Sequence, residues 1–515
     1  MAETGKVGSF WHDTITTPPR RWPALTGNIA HADVAIIGAG ITGLSIAWHL
    51  VSAGKRVVII EADEVGHGTT GSSTGNLYSV VGPRLHAIAK KHGEQTLRAV
   101  IAARSAAIDF IEARVKELGI VCDFERVPFH LFSAPDAAAA KEVQHEFDAT
   151  QRVGLPSSDA IPASFPFRAT ALTTVADQAQ FNPLKYVIGL AAALADRGCS
   201  IHENSRVLDT EDGEPCIITT ATGRLTADDI VKATHTPQGL YAVHAAMIPH
   251  REYAVMARVN DALPPSGIYW NANSAWRYSV RPWRTAQGNF IMVLGEDHKP
   301  GEQDAAQLDR ISQFLHQHFD VAEIPYTWAA QNYRPADLLP YIGRSPLEKH
   351  TWMATGFAAD GLVWGTFAGQ LISDELRAIA NPRAGIFSPT RFTPIASAKN
   401  FLLEQAAVSK HLVHDVLSYG RNRECAELAP GAGCVVTIGG EKVAASRDHE
   451  GRLHVVAAHC THLGCLVHWN PLELSWDCPC HGSRFDMDGR VLEGPAQKDL
   501  ALAAMPDPPR PDLPS

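Results

Sequence analysis

The spacing of apolar and polar positions divides the chain into a large mixed body and a small β-rich end. Residues 33–38 form a short apolar run that stops at a glycine, which predicts a buried strand. Residues 43–54 predict a helix with a glycine stop, and residues 56–61 a second strand, so this segment is one βαβ unit. Helical patterns follow around 85–117 and 183–197. Strand-like runs lie between 245 and 295, with 253–259 and 289–294 the clearest. This pattern predicts an α/β body with an antiparallel insertion. Residues 1–30 contain Pro and Trp without periodicity and are expected to be irregular. Near residue 380 the texture changes. Asn381-Pro382, Pro389 and Pro394 break structure, and residues 398–417 then read as an amphipathic helix. Short runs at 434–438, 442–446 and 453–458 predict a small β domain. There are no internal repeats and no low-complexity tract.

A length of 515 residues suggests two to four domains. The net charge of −10 and the lack of a strongly basic patch argue against a nucleic-acid partner. No apolar run reaches the roughly 18 residues of a membrane-spanning helix. The N-terminal residues lack the basic start and apolar region of a secretory signal, so the expected location is cytoplasmic. The polar face of the 398–417 helix mixes Lys399, Glu404, Lys410, His411 and Asp415. That face suits a linker helix packed between domains, and peripheral membrane contact is left open.

The first chemical motif joins the first strand to the first helix. Gly38-x-Gly40-x-x-Gly43 permits a tight turn, close approach of a pyrophosphate and close packing of helix on strand. The helix N-terminus then faces the phosphates with its partial positive charge. Glu61 ends the second strand, 18 residues after Gly43, where an acid binds ribose hydroxyls. Strand, helix, second strand and acid in this order point to a dinucleotide, NAD or FAD. A second glycine- and hydroxyl-rich stretch, residues 66–76, includes Thr70. A third, residues 356–369, includes Gly356 and Gly361 and opens onto a helix. With these additions the chain resembles the D-amino-acid oxidase, glycine oxidase and sarcosine oxidase superfamily of FAD enzymes. Residues 177–183, the strand at Val207 and residues 333–343 carry further parts of the resemblance, which covers about 33–380.

The second motif is Cys460-x-His462, fifteen residues, then Cys478-x-x-His481. Each half offers one thiolate and one imidazole. A Rieske [2Fe–2S] centre needs this set, with two Cys on one iron and two His on the other. A structural zinc site is the alternative, but zinc spacing usually uses C-x-x-C or H-x₃₋₅-H pairs. The segments 460–465 and 478–483 resemble the high-potential Rieske proteins of respiratory and photosynthetic complexes. The resemblance implies a disulfide between Cys465 and Cys480, which is unusual for a cytoplasmic protein. It also implies a hydrogen bond from Ser483 to cluster sulfur. The family's nearby tyrosine falls at Phe485, so the expected potential lies below the high-potential class and above plant-type ferredoxins.

An FAD oxidoreductase with a C-terminal Rieske domain resembles the YhfW-type bacterial oxidoreductases, as does the segment 295–301. The implied domains are an N-terminal extension at 1–32, an FAD-dependent oxidoreductase at 33–380, a linker with a helix at 381–420 and a Rieske domain at 421–515. The implied fold is an α/β FAD-binding domain of the Rossmann-like, glutathione-reductase type, an antiparallel-sheet substrate domain and a small all-β Rieske domain. The implied reaction is oxidation of a small amine or amino-acid-like substrate by hydride transfer to FAD. Electrons then leave one at a time through the cluster to an external acceptor. Three other readings stay open: an NAD(P)H-driven reductase supplying a partner enzyme, a flavoprotein oxidase whose Rieske domain is regulatory, and a redox sensor or electron carrier. The first of these usually needs a second nucleotide fingerprint, and the sequence shows only the one at 38–43. The resemblance places His298, Arg334, Tyr278 and Arg281 on the substrate side, with Arg334 a candidate clamp for a carboxylate. Sarcosine oxidases carry a flavin-linked cysteine where this chain has Gln331 or Asn332, so the FAD is expected to be non-covalent, with His67 the remaining route to a covalent link. Their oxygen-activating lysine falls at Leu294, which suits a dehydrogenase.

Overall fold

The computed structural model describes residues 6–236, 243, 246–273, 277–391, 428–438 and 440–503. The helix predicted over 398–417 lies outside them. Two compact units emerge. Of the described residues, the first takes 6–236, 243, 252–273, 277–297 and 306–391, and the second takes 246–251, 298–305, 428–438 and 440–503.

The first unit is built on a parallel sheet. Its strands run in the order Thr351–Thr355, Gly223–Lys232, Gly27–Ile37, Val57–Ile60 and Ser200–His202. Every residue of Val57–Ile60 is buried, as expected of a strand covered on both faces. Tyr341–Arg344 pairs antiparallel at one edge, and the antiparallel strands Val207–Glu211 and Cys216–Thr220 attach through Gly223–Lys232. The predicted βαβ unit is present as Gly27–Ile37, helix Ile41–Ser52 and Val57–Ile60. Helix Ile41–Ser52 packs against helix Gly361–Leu376. A Cβ on Gly365 would lie 2.3 Å from Thr42 Oγ1, and one on Gly369 would lie 2.7 Å from Ser45 Cβ. Only glycine lets the two helices approach this closely.

Among the described residues a second sheet has ten strands. The strands predicted between 245 and 295 are there, but their neighbours include Glu125–Ser133, Ala171–Gln180 and Val321–Pro335, so the sheet gathers distant stretches. Ser279–Thr285 pairs antiparallel with Gly288–His298, as does Glu125–Ser133 with Ala171–Gln180, while Ile268–Asn271 lies parallel to Glu125–Ser133. Residues 6–30 are more ordered than their composition suggests. Lys6–Val7 pairs with Val321–Pro335, and Ser9 caps a one-turn helix, Phe10–Asp13, accepting from Trp11 N at 3.2 Å. The cause is the adjacent pair Phe10 and Trp11, which is buried in the main core and so fixes the segment.

The second unit contains a three-stranded antiparallel sheet, Gly433–Ile438, Glu441–Arg447 and Leu453–Ala457, which matches the predicted β pattern. A four-stranded antiparallel sheet follows: His468–Asn470, Ser475–Asp477, Arg484–Phe485 and Val491–Glu493. Val435, Ala444, Val456, Val467, Trp476 and Phe485 form its core together with Cys460 and Cys478.

Candidate cofactor sites

In the first unit the fingerprint glycines make a surface of bare backbone at the start of helix Ile41–Ser52. Gly38 has φ +108°, and a Cβ there would meet Ala233 O at 2.6 Å. A Cβ on Gly43 would sit 2.0 Å from Gly38 O, so the turn closes only with glycine. Gly40 is the N-cap and offers no side chain. Thr70, from the second glycine-rich stretch, reaches over and accepts from Ile41 N at 3.1 Å. Glu61 immediately follows strand Val57–Ile60. Its carboxylate accepts from Ala39 N at 2.7 Å and Asp63 N at 3.0 Å. Burial pushes its carboxyl above the usual carboxylate range against the pull of those N–H groups.

Val207 opens its strand and is buried. Gly356 has φ +72° and leads into helix Gly361–Leu376. That helix also starts without a side-chain cap. Its N-cap residue, Asp360, instead accepts from Gly82 N at 3.1 Å and lies 3.3 Å from the buried Arg104. Two helix starts whose N-cap residues make no side-chain cap, one flanked by glycine turns, an acid and Thr70, form a donor set that suits a dinucleotide with a flavin. The residues fit FAD.

The residues expected on the substrate side are engaged in different ways. Tyr278 is buried and donates its hydroxyl to Glu296 at 2.7 Å; burial and then that carboxylate raise its phenol pKa. Arg281 is buried with its guanidinium 4.4 Å above the Trp283 ring and bonded to Asn76 Oδ1 at 3.1 Å; burial lowers its pKa to about 9. Gln331 is buried and donates to the Tyr333 hydroxyl at 2.7 Å. Asn332 accepts from Arg334 Nε at 3.2 Å. Leu294 pairs with Ser279 across the sheet, and the His67 ring packs edge-on to His12. His298 ends its strand, is buried and belongs to the second unit.

Arg334 donates to both oxygens of Asp297, at 2.7 and 2.8 Å, and to Glu252 at 3.2 Å. Burial raises the Glu252 carboxyl to about 7 despite Arg334, with Asp297 and Asp360 adding like charge. Glu252, Asp297, Asp360 and Arg104 were not legible in the sequence. The only local sign was a charged residue immediately before the apolar run 253–259.

In the second unit two matching loops carry the predicted ligands. Gly464 N returns to Cys460 O at 2.9 Å, and Gly482 N returns to Cys478 O at 3.0 Å. Both glycines have φ +79°, in the left-handed region that lets each loop turn back on itself. Cys460 and Cys478 are buried side by side. Cys478, with the N–H groups of His462 and Leu463 and the Ser483 side chain, lowers the Cys460 thiol against burial, while Cys460 and burial raise the Cys478 thiol. On the other loop the N–H groups of Cys480 and His481 point to Cys478. The His462 and His481 rings lie 5.0 Å apart, edge to face.

Two thiols and two imidazoles thus converge from two loops, with backbone N–H groups directed at the sulfurs. This donor set fits a Rieske cluster. Cys465 and Cys480 form a disulfide that joins the loops. Ser483 is buried, as is Phe485, paired with Trp476 in the sheet. Beneath the second loop, buried Arg484 bonds Asp477 at 2.9 Å and Glu473 at 2.8 Å. Burial would raise the Glu473 carboxyl, but Arg251 and Arg484 hold it down to about 2.

Comparison with known proteins follows the same division. The pattern of the FAD dependent oxidoreductase family matches residues 33–375, and that of the Rieske [2Fe-2S] domain matches 422–506. The chain is 33% identical to the putative Rieske 2Fe-2S iron-sulfur protein YhfW of Bacillus subtilis over 503 residues, 96% of each chain. It is 25% identical to the gamma-glutamylputrescine oxidoreductase of Escherichia coli over 360 residues, 67% of this chain and 83% of that one. Among solved structures, glycine oxidase from Geobacillus kaustophilus is similar with a TM-score of 0.58 at 18% identity, covering 71% of this chain and 100% of that one. That similarity establishes the fold.

Proposed function

From the premise that the chain belongs to the FAD dependent oxidoreductase family and, like YhfW, carries a Rieske [2Fe-2S] domain on the same chain, we propose that it is a cytoplasmic dehydrogenase oxidising a CH–NH bond of a small amine or amino-acid-like substrate and passing the electrons singly to an external acceptor. Bound FAD supplies a two-electron acceptor for hydride, and the bound cluster supplies a one-electron exit. The chain's own residues hold and shield these groups. Glu61 would hold the ribose, the bare backbone at Gly38, Gly40 and Gly43 the pyrophosphate, and the start of helix Gly361–Leu376 would offer its positive end to the flavin. Cys460 and Cys478 hold one iron, and His462 and His481 the other. The Cys465–Cys480 bridge clamps the two loops. Leu294 stands where sarcosine oxidases carry their oxygen-activating lysine, which suits a dehydrogenase.

One observation carries this reading: a single dinucleotide fingerprint shares a chain with a one-electron relay. Electrons that entered from NAD(P)H would call for a second nucleotide site. The relatives add support, since one of them is named for oxidising gamma-glutamylputrescine, an amine-bearing compound. Among the described residues no helix is long and apolar enough to cross a membrane. The test is anaerobic mixing of the holoenzyme with a panel of amines, amino acids and NADH. An amine or amino acid should bleach the flavin, and NADH should not. Rapid bleaching by NADH alone would replace this reading with that of a reductase.

A further inference from the structure

Residues 246–251 belong to the second unit, although they lie in the stretch that matches the oxidoreductase family and far from the Rieske match at 422–506. The last of them, Arg251, is buried on strand Met247–Val259. Its guanidinium donates from Nε to Glu473 Oε1 at 2.7 Å, from Nη2 to Glu473 Oε2, and from Nη1 to Glu493 Oε2 at 3.1 Å. The contact with Glu473 is the two-pronged pairing that arginine makes with a carboxylate. Among the described residues Glu473 and Glu493 share one other guanidinium, Arg484, at 2.8 and 3.6 Å.

These groups frame the second cluster loop. Strand Ser475–Asp477 enters the loop at Cys478, and strand Arg484–Phe485 leaves it after Ser483. Asp477 and Arg484 face each other across the two strands, and Arg484 Nε donates to Asp477 Oδ1 at 2.9 Å. The same guanidinium donates from Nη2 to Ser475 Oγ at 2.9 Å and to Glu473 Oε2 at 2.8 Å. Just above, Cys478 N donates to Ser483 O at 2.8 Å and closes the loop. A chain of charge-assisted hydrogen bonds thus runs from Arg251 through Glu473 and Arg484 to Asp477, the residue before the ligand Cys478. Glu473 lies in the turn before Ser475–Asp477 and Glu493 ends the last strand, so Arg251 also ties the two ends of the four-stranded sheet together. Arg251, Asp477 and Arg484 are buried, and in such surroundings the loss of one partner leaves the next without its counter-charge.

We propose that Arg251 is a positioning residue for the cluster: by fixing Glu473 it fixes Arg484, and Arg484 closes the base of the 478–483 loop that presents Cys478 and His481. The retention and the potential of the cluster then depend on a residue outside the Rieske sequence. Lysine is an incomplete replacement, because one ammonium restores the charge but not the parallel bonds to Glu473 together with the bond to Glu493. The inference rests on the reading of Cys460, His462, Cys478 and His481 as cluster ligands.

The test uses the full-length holoenzyme at pH 8, where the carboxylates of the network stay ionised. Arg251→Met and Arg251→Lys are compared with the wild type and with Arg258→Met, a control that removes an exposed pair with Glu323 from the same strand. The cluster's potential is read by redox titration with electron paramagnetic resonance, and its release by loss of the visible bands, with flavin absorbance as the internal standard. Arg251→Met should release the cluster at least about tenfold faster, the worth of one charge-assisted hydrogen bond, with the flavin retained. It should also shift the reduction equilibrium toward the oxidised cluster by about tenfold, or about 59 mV for one electron, since a positive charge leaves the network. Arg251→Lys should return the potential close to that of the wild type and still release the cluster faster. The wild-type potential in Arg251→Met overturns the inference even where its unfolding temperature falls, because an ion pair that serves stability alone leaves the potential unmoved. The same two changes in Arg258→Met also overturn it. If Arg251→Met holds no cluster, Arg251→Lys decides, and release at the wild-type rate overturns the inference. A wild-type protein without the resonance signal of a Rieske cluster overturns the ligand reading itself, a separate result.

Discussion

The two cofactor sites are assembled on different length scales. The candidate cluster site takes its four proposed ligands, its disulfide and Ser483 from residues 460–483. The flavin site draws on 38–43, 61, 70, 207 and 356–361, held by a parallel sheet whose strands lie from 27 to 355 in sequence. A site built from two short loops depends on local turn geometry and on its own bridge. A site built from distant strands depends on the packing of a whole unit, so damage to its glycines is damage to the fold.

The largest expected effects separate the two sites. Gly43→Val places side-chain atoms where a Cβ alone would lie 2.0 Å from Gly38 O. It should abolish FAD binding and, with overpacking costs of typically 1–3 kcal/mol or more, destabilise the first unit. The cluster's visible bands should remain, since the second unit keeps its own core. Cys460→Ser should do the reverse, removing the cluster while flavin absorbance stays. Loss of both chromophores in either variant would break the comparison.

Cys465→Ser comes next. The bridge spans 15 residues in sequence, a loop for which a disulfide contributes about 3 kcal/mol on the chain-entropy account. Thermal loss of the cluster bands should move to lower temperature by several degrees, with the flavin transition unmoved.

Acid should separate the units as well. Burial lowers His49 and His130 to about 4, so the folded first unit stays unprotonated where the unfolded chain binds protons. That stability is full above about 6.5 and is lost as pH falls toward 4, at up to about 3 kcal/mol for each group and less where water reaches the ring. In the second unit Glu473 is held near 2 by Arg251 and Arg484 against burial, so its contribution is full above about 4.5 and is lost between there and 2. Flavin release, read by fluorescence, should therefore begin at higher pH than loss of the ion pairs around Arg484, read by near-UV dichroism of the buried Trp476. The opposite order would contradict the assignment of these groups.

The smallest effect tests Ser483. A hydrogen bond of about 1 kcal/mol to the reduced cluster corresponds to roughly 40 mV for one electron. Ser483→Ala should lower the potential by that order with the ligands intact. A redox titration showing no shift would remove Ser483 from the account.

The same contrast of scale explains what could be read in advance. Cys460, His462, Cys478 and His481 could be proposed as ligands in advance because they fall in two short, closely spaced segments. Gly38, Gly40, Gly43 and Glu61 were legible because the fingerprint is local to one βαβ unit. The packing of Gly365 on Thr42 and Gly369 on Ser45 was not, because it joins helices more than 300 residues apart in sequence. Glu252 was hidden for the same reason: its partners Asp297 and Arg334 sit on neighbouring strands distant in the chain. The order in residues 6–13 was missed because composition favoured irregular structure, while burial of Phe10 and Trp11 decided otherwise.

The central claim is that substrate electrons enter at the flavin and leave through the cluster. The most direct measurement is anaerobic single-turnover reduction by an amine that bleaches the flavin, with flavin absorbance and the cluster's electron paramagnetic resonance signal followed together. The account predicts that the reduced-cluster signal grows in after flavin bleaching and that Cys460→Ser bleaches without it. A cluster that stays oxidised while the flavin is fully reduced would contradict it.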